Sequence, residues 1–189
     1  MRRKTYQEEI DFLLSHTSRN TFIGNLALSL NGNTLVLFER VEKHGKVLHE
    51  MLGQKVAADR KLFYVYGDTP TDDRNNIRHI TEGESNAILV ASYGTFSTGI
   101  NIRNIDNIIF TSPTKSKIRV LQSIGRGLRR SKRKNRITLY DIADDLSSWN
   151  KTHTEVRDNY SLTHFTERVG YYNTEQFSYE LYKILLEAA

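Results

Sequence analysis

Cysteine is absent from this 189-residue chain, so neither a disulfide framework nor a thiolate metal site can form. The six histidines show no ligand spacing such as H-x-x-x-H, and no metal site is expected. No apolar run approaches the ~20 residues that span a bilayer. Met1-Arg2-Arg3-Lys4 leads into polar residues, not into the apolar core of a secretory leader. Secretion and membrane insertion are not expected; the expected compartment is the cytoplasm. Internal repeats and low-complexity segments are missing as well. So are three phosphate-binding signatures. There is no G-x-x-x-x-G-K-[ST] loop, no Asp-Glu pair closing a strand to hold Mg²⁺, and no G-x-G-x-x-G after any predicted strand.

Acidic residues are lacking in one place. Lys115 to Arg136 holds ten of the 27 Lys and Arg and no Asp or Glu. The remainder carries 17 basic against 22 acidic residues, a net of −5 beneath the overall +5. The positive charge is local, as a phosphate-facing surface requires. Lys115, Lys117 and Arg119 open this stretch, and Arg130, Lys132, Arg133, Lys134 and Arg136 close it. For the closing cluster a solvated turn and a DNA contact both remain open.

What is present reads as alternating helices and strands. Thr5–His16 has Tyr6, Ile10, Leu13 and Leu14 at helical spacing, and Thr21–Leu30 forms a second helix ended by Asn31-Gly32-Asn33. Residues 34–38 are a continuous apolar strand of the kind buried on both faces of a parallel sheet. Val41, Val47, Leu48 and Met51 mark the next helix, with Gly53 as its C-cap. Strands follow at 62–66, 87–91, 107–110 and 137–141, with a helix over 71–82 started by Pro70. Ser116 caps a helix over 117–130. The alternation predicts an open parallel α/β sheet with flanking helices. Beyond Trp149 the composition changes: five of the ten tyrosines lie there. Val156, Tyr160, Thr163 and Val169 predict one helix, and Phe177, Leu181, Ile184 and Leu185 a second with an apolar stripe. This region reads as a helical appendage packed on the sheet domain. Tyr171 and Tyr172, beside Gly170, are the pair to test for base stacking. Asp141-Ile142-Ala143-Asp144-Asp145 reads as a strand end with solvated carboxylates, not as a metal site.

The most informative stretch is Gln122-Ser123-Ile124-Gly125-Arg126-Gly127-Leu128-Arg129-Arg130. In a helix, Gln122, Arg126 and Arg129 fall at i, i+4 and i+7 along one face. Gly125 keeps that face low enough for a phosphate to approach the backbone. Two guanidiniums and an amide converging there suit the charge on a transferring phosphoryl group. From spacing alone, a solvated basic helix is an equal alternative.

Position favours the phosphate. The Q-x-x-G-R-x-x-R frame resembles motif VI of superfamily 2 helicases. Upstream, Ala87-Ile88-Leu89-Val90-Ala91-Ser92 running into Tyr93-Gly94-Thr95-Phe96-Ser97-Thr98-Gly99-Ile100-Asn101 resembles motif V, and Thr34-Leu35-Val36-Leu37-Phe38 resembles motif IV. The chain is similar to the second, C-terminal RecA-like lobe of that superfamily. Lys4 to Ile10, Ala91 to Ile100 and Lys115 to Ile118 bring it nearer still to helicases of T4-like phages that remodel branched DNA.

The resemblance implies a connection between lobes over residues 1–20, a RecA-like lobe over 21–148 and a helical extension over 149–189. It implies ATP held in a cleft against an N-terminal RecA-like lobe, which would supply the phosphate loop and the Mg²⁺ ligands. Arg129 would be the arginine finger, Arg126 its partner on the phosphates and Gln122 the sensor of the γ-phosphate. Gly99, Asn101, Gly125 and Thr98 fall on the nucleotide side, Thr98 with a DNA contact as its alternative. Asn101 stands where the family has Asp, so it can hydrogen-bond but cannot pair with the charge of Arg126. Ser92, Gly67, Arg74, Lys115 and Lys117 fall on the nucleic-acid side, although Arg74 reads first as a helix-surface arginine and only second as a phosphate ligand. The implied partners are DNA, RNA/DNA hybrids and the first lobe, with no membrane. The implied task is unwinding D-loops and R-loops and remodelling branched DNA in recombination and repair. A host bacterial cytoplasm is the implied setting. The lobe alone is expected to be inactive as an ATPase. A stand-alone nucleic-acid-binding remnant is the alternative.

Overall fold

Five runs of β-branched and aromatic residues pair into one parallel sheet: β1 (Thr34–Phe38), β2 (Leu62–Val65), β3 (Ile88–Ser92), β4 (Asn107–Phe110) and β5 (Thr138–Asp141). The computed structural model describes residues 5–98, 102, 104–112, 116, 137–149, 152 and 154–186, with the backbone alone at 97 and 98. The strand order is β2-β3-β1-β4-β5, which leaves β1, β3 and β4 inside the sheet. Those three are buried almost end to end, because helices cover both faces of a parallel sheet.

Helices α1 (Tyr6–Ser15) and α2 (Thr17–Ser29) follow one another with only His16 between them. Thr5 and Glu8 close a capping box on α1, and the His16 ring accepts from the Arg19 N–H to cap α2. On one face of the sheet, Ile23 and Ala27 of α2 and Leu48 and Leu52 of α3 (Lys46–Gly53) pack on Val36, Val90 and Ile109. On the other, Ile77 of α4 (Thr71–Gly83), Tyr93 and Phe96 of α5 (Tyr93–Thr98) and Val169 and Tyr172 of α6 (Tyr160–Thr174) pack on Leu35, Leu89 and Ile108.

The amino edge of the sheet is stitched by amides. Asn33 Oδ1 accepts from Ala87 N–H at 2.8 Å, while its Nδ2 donates to the carbonyls of Glu84 at 2.8 Å and Asn104 at 3.0 Å. Arg60 caps the C-terminus of α2 by donating to the Leu28 and Leu30 carbonyls, both at 2.9 Å. Gly32, at φ +91°, makes the turn into β1; a Cβ there would lie 2.7 Å from Asp106.

Several expectations need correction. Helix α2 starts at Thr17, not Thr21: the inward positions of its first turn are Arg19 and Asn20, which carry no apolar signal. Residues 41–53 are not one regular helix. A π-helical turn, Val41–Gly45, precedes α3, Val47 faces solvent, and Gly53 is the last helical residue, not the cap. Directly after β3 the chain forms the short helix α5, which the sequence reading did not include. Beyond β5, Val156 belongs to a small antiparallel pair, β6 (Ser148–Trp149) with β7 (Val156–Arg157), so the first C-terminal helix begins only at Tyr160. The second does not form. Gln176, at φ 58°, turns the chain out of α6, and residues 177–186 carry no helix. Phe177 packs on the core, but Leu181, Tyr182 and Leu185 are 66%, 78% and 84% exposed. An apolar stripe without a surface to cover lacks the packing that supplies most helical stability.

Candidate nucleotide and nucleic-acid site

Parallel α/β sheets bind ligands beyond the carboxyl ends of their strands, where neighbouring strands send their connections to opposite faces. Here β1 leads through the π-turn to α3 on one face, and its neighbour β3 leads to α5 on the other. The crevice therefore lies beyond Phe38 and Ser92, which are paired in register.

Ser92 is the only residue of β3 that is not fully buried. Its Oγ accepts from the Thr95 N–H at 3.3 Å and shares a hydrogen bond with Thr95 Oγ1 at 2.8 Å, which caps α5. One strand outward, β2 ends in the turn that holds Gly67. Thr69 Oγ1 accepts from the Tyr66 N–H at 3.0 Å, and Arg74 Nε donates to the Thr69 carbonyl at 2.8 Å. Gly67 is exposed with open space where a side chain would stand. The structure thus gathers Ser92, Gly67 and Arg74 at the ends of neighbouring strands, with Arg74 bracing its own turn. Thr98 ends α5. Its side chain lies outside the described residues, as do Gln122, Gly125, Arg126, Arg129, Gly99, Asn101, Lys115 and Lys117.

Across the crevice, Thr111 and Ser112 follow β4 and are 0% and 3% exposed. Thr111 Oγ1 donates to the Leu37 carbonyl at 2.7 Å, and Ser112 Oγ accepts from the Glu39 N–H at 3.3 Å. The π-turn brings His44 Nδ1 to 3.4 Å from Ser112 Oγ. Burial, and then the nearby Arg19 charge, push the His44 imidazole down to about 3, so it is neutral. Arg19 itself, 2% exposed, donates from Nη2 to the Thr111 carbonyl at 2.8 Å and from Nε to Asp144 Oδ1 at 2.7 Å.

The acidic run after β5 is not the solvated strand end the sequence suggested. Asp141 takes a bidentate pair from Arg168, Nε to Oδ2 and Nη2 to Oδ1, both at 2.7 Å. The Tyr172 hydroxyl donates to the same carboxylate at 2.7 Å. Burial, and then that carboxylate, drive the Tyr172 phenol well above its ordinary range. Tyr172 is therefore a buried anchor and not a stacking platform. Asp144 pairs with Arg19, and Asp145 alone stays at the surface, bonded to Ser147. A further carboxylate, Glu9 of α1, is buried at the start of α6. It accepts from the Ser161 N–H at 2.7 Å, from Asn159 Nδ2 at 2.9 Å and from the Tyr160 N–H at 3.0 Å. A helix N-terminus is where an anion without a cationic partner is best held.

Arg19, His44, Asp141, Asp144 and Arg168 were not singled out as site residues by sequence reasoning. One signal was available: Arg168 stands midway between His164 and Tyr172 on the buried stripe of α6, where an arginine needs a buried acid.

A doubly covered parallel sheet with a switch point between β1 and β3 is the architecture of a RecA-like lobe. Residues 18–131 match the family model of the helicase conserved C-terminal domain. The chain belongs to that family. It is 37% identical over 186 residues to the ATP-dependent DNA helicase uvsW of Enterobacteria phage T4, covering 95% of this chain and 36% of the phage protein. The crystal structure of T4 UvsW superposes with a TM-score of 0.75 at 36% identity, over 91% of this chain and 35% of that one. The C-terminal domain of the DEAD-box protein Dbp5 shares the fold, with a TM-score of 0.61 at 14% identity over 85% of this chain and 81% of that one. The chain spans about a third of the length of the phage protein.

Proposed function

We propose that the chain is the second motor lobe of an ATP-dependent superfamily 2 helicase that acts on DNA. The observation that carries this is the family match over residues 18–131, which takes in both the β1/β3 switch point and the Q-x-x-G-R-x-x-R segment. Residues 1–20 join this lobe to the first, 21–148 form it and 149–189 extend it. ATP binds between the lobes. Gly99, Asn101, Gly125 and Thr98 hold it, Gln122 senses the γ-phosphate, and Arg126 and Arg129 meet the charge of the transferring phosphoryl group. Mg²⁺ is held by the first lobe. Asp141 and Asp144 are engaged by Arg168 and Arg19. Ser92, Gly67, Arg74, Lys115 and Lys117 track the sugar-phosphate backbone, so binding falls steeply with salt and carries little base preference. The similarity to UvsW supports branched DNA, D-loops and R-loops as substrates.

The test is DNA-stimulated ATP hydrolysis by the chain alone, mixed with a first lobe that carries a phosphate loop, and in the same mixture with Arg129→Ala. Turnover in the mixture that drops about 10³-fold or more in the variant is expected. Salt-sensitive DNA binding without turnover, in a mixture whose lobes associate, would instead make the chain a stand-alone binding module.

A further inference from the structure

Arg19 sits where a motor lobe has most need of a fixed point. It comes from α2, is buried, and joins two places far apart in sequence: the Thr111 carbonyl at the end of β4 and Asp144 beyond β5. Thr111 and Ser112 follow β4 directly and lead towards the segment that carries Gln122, Arg126 and Arg129. Around that root, Thr111 is also tied to Leu37, and Ser112 to Glu39 and His44.

Stability alone gives a poor account of this arrangement. Burying a guanidinium costs several kcal/mol of desolvation, and Arg19 Nη1 finds no hydrogen-bond partner among the described residues. An apolar side chain would fill the space at lower cost. What arginine alone supplies is a planar fork that fixes two acceptors relative to each other.

We propose that Arg19 is a positioning residue for ATP turnover: by clamping the Thr111 carbonyl to Asp144 it sets where the arginine-bearing segment leaves the sheet. This rests on the motor-lobe reading. Arg19 acts through Arg126 and Arg129 and touches no substrate itself. Lysine cannot replace it fully, because an ammonium is a point charge without the fork.

The test compares Arg19→Met and Arg19→Lys with Asn33→Ala, a variant at the opposite edge of the sheet that serves as a control for general destabilisation. The first readout is trypsin cleavage of the chain well below its melting temperature, mapped by mass spectrometry. Arg19→Met is expected to speed cleavage between Lys115 and Arg136 several-fold more than cleavage elsewhere, with Arg19→Lys between it and the parent. Asn33→Ala is expected to raise cleavage evenly. The second readout is turnover with the first lobe, where a displaced catalytic group lowers kcat by about 10- to 100-fold and leaves KM for ATP nearly unchanged. Cleavage raised evenly in Arg19→Met, or kcat no lower than in Asn33→Ala, overturns the proposal. Cleavage requires no ATPase activity, so the two readings fail separately. Selective cleavage without turnover, in a parent mixture whose lobes associate, would sink the motor reading and with it the role of Arg19 in turnover, and would leave Arg19 as a structural clamp only.

Discussion

Acid should weaken this fold through His44. The imidazole is fully buried in the π-turn beside Ser112 and close to Arg19, and its value in the folded chain is about 3 against an ordinary 6.5. The folded state thus holds a neutral ring, and the unfolded chain takes up the proton first. The stabilisation is complete above pH 6.5 and is lost as pH falls from there towards 3. Integrating proton uptake by the unfolded state gives a loss of about 2 kcal/mol between pH 7 and pH 5. Burial at 0% exposure leaves little solvent screening to discount. His49, also shifted down by burial, adds in the same direction and must be subtracted. Urea unfolding of the parent and of His44→Gln at both pH values makes the subtraction, since His49 is common to the two. The parent should lose about 2 kcal/mol more than the variant over this range. Equal losses would mean that His44 is protonated in the folded protein, or that the π-turn opens to admit water, and either would refute the reasoning.

Arg168→Met should cost about 3–5 kcal/mol in urea unfolding, because it strands the buried Asp141 carboxylate with Tyr172 as its one remaining donor among the described residues; adding Asp141→Asn should recover much of that loss. Glu9→Gln keeps the size but removes the charge and one acceptor, at a cost of about 1–3 kcal/mol, and amide exchange should quicken first at Tyr160 and Ser161. Gly32→Ala should lower the melting temperature by several degrees, since a strained residue costs about 1–3 kcal/mol and each kcal/mol is about 2–4 °C at this size; an unchanged midpoint would show that the turn can relax away from Asp106.

Much of the fold was legible because parallel sheets leave a plain trace. Strands β1 and β4 fall within the boundaries read from sequence, since both are apolar runs closed by polar residues. The carboxyl edge was far less legible. Asp144 finds its partner 125 residues away and Asp141 finds its own 27 residues away, so neither pair leaves a local pattern. Arg19 hides the first turn of α2 for the same reason, and Asn20, bonded to the Leu14 carbonyl, is a second polar residue facing inward there. The π-turn follows from a close approach that no periodicity encodes: a Cβ on Gly45 would lie 2.4 Å from the Phe38 ring. The error at 177–185 runs the other way. A helical apolar period predicts a helix only where something receives its face, and among the described residues nothing covers Leu181 or Leu185. Of the proposed site, Ser92 and Gly67 come from the resemblance to family motifs, whereas the residues holding β4 and β5 in place became visible only with the fold.

The two edges of the sheet solve the same problem with different chemistry. At the amino edge, Asn33, Asn104 and Asn107 satisfy backbone carbonyls with neutral amides, each bond a modest net gain. At the carboxyl edge, Glu9, Arg19, Asp141, Asp144 and Arg168 do it with charges withdrawn from water. Apolar residues of similar volume are often as stable as a buried ion pair, or more so. Stability therefore does not select the charges; direction does. A bidentate arginine–carboxylate pair fixes distance and angle together, and packing alone tolerates repacking at small cost. The paired charges lie on the edge where this fold class binds ligands; at the amino edge the amides are joined by Arg60 and Asp106, which bond to backbone groups. Under the proposed motor function, arginines have to meet a phosphoryl group with close tolerance, and such contacts would belong at the root of the segment that carries them.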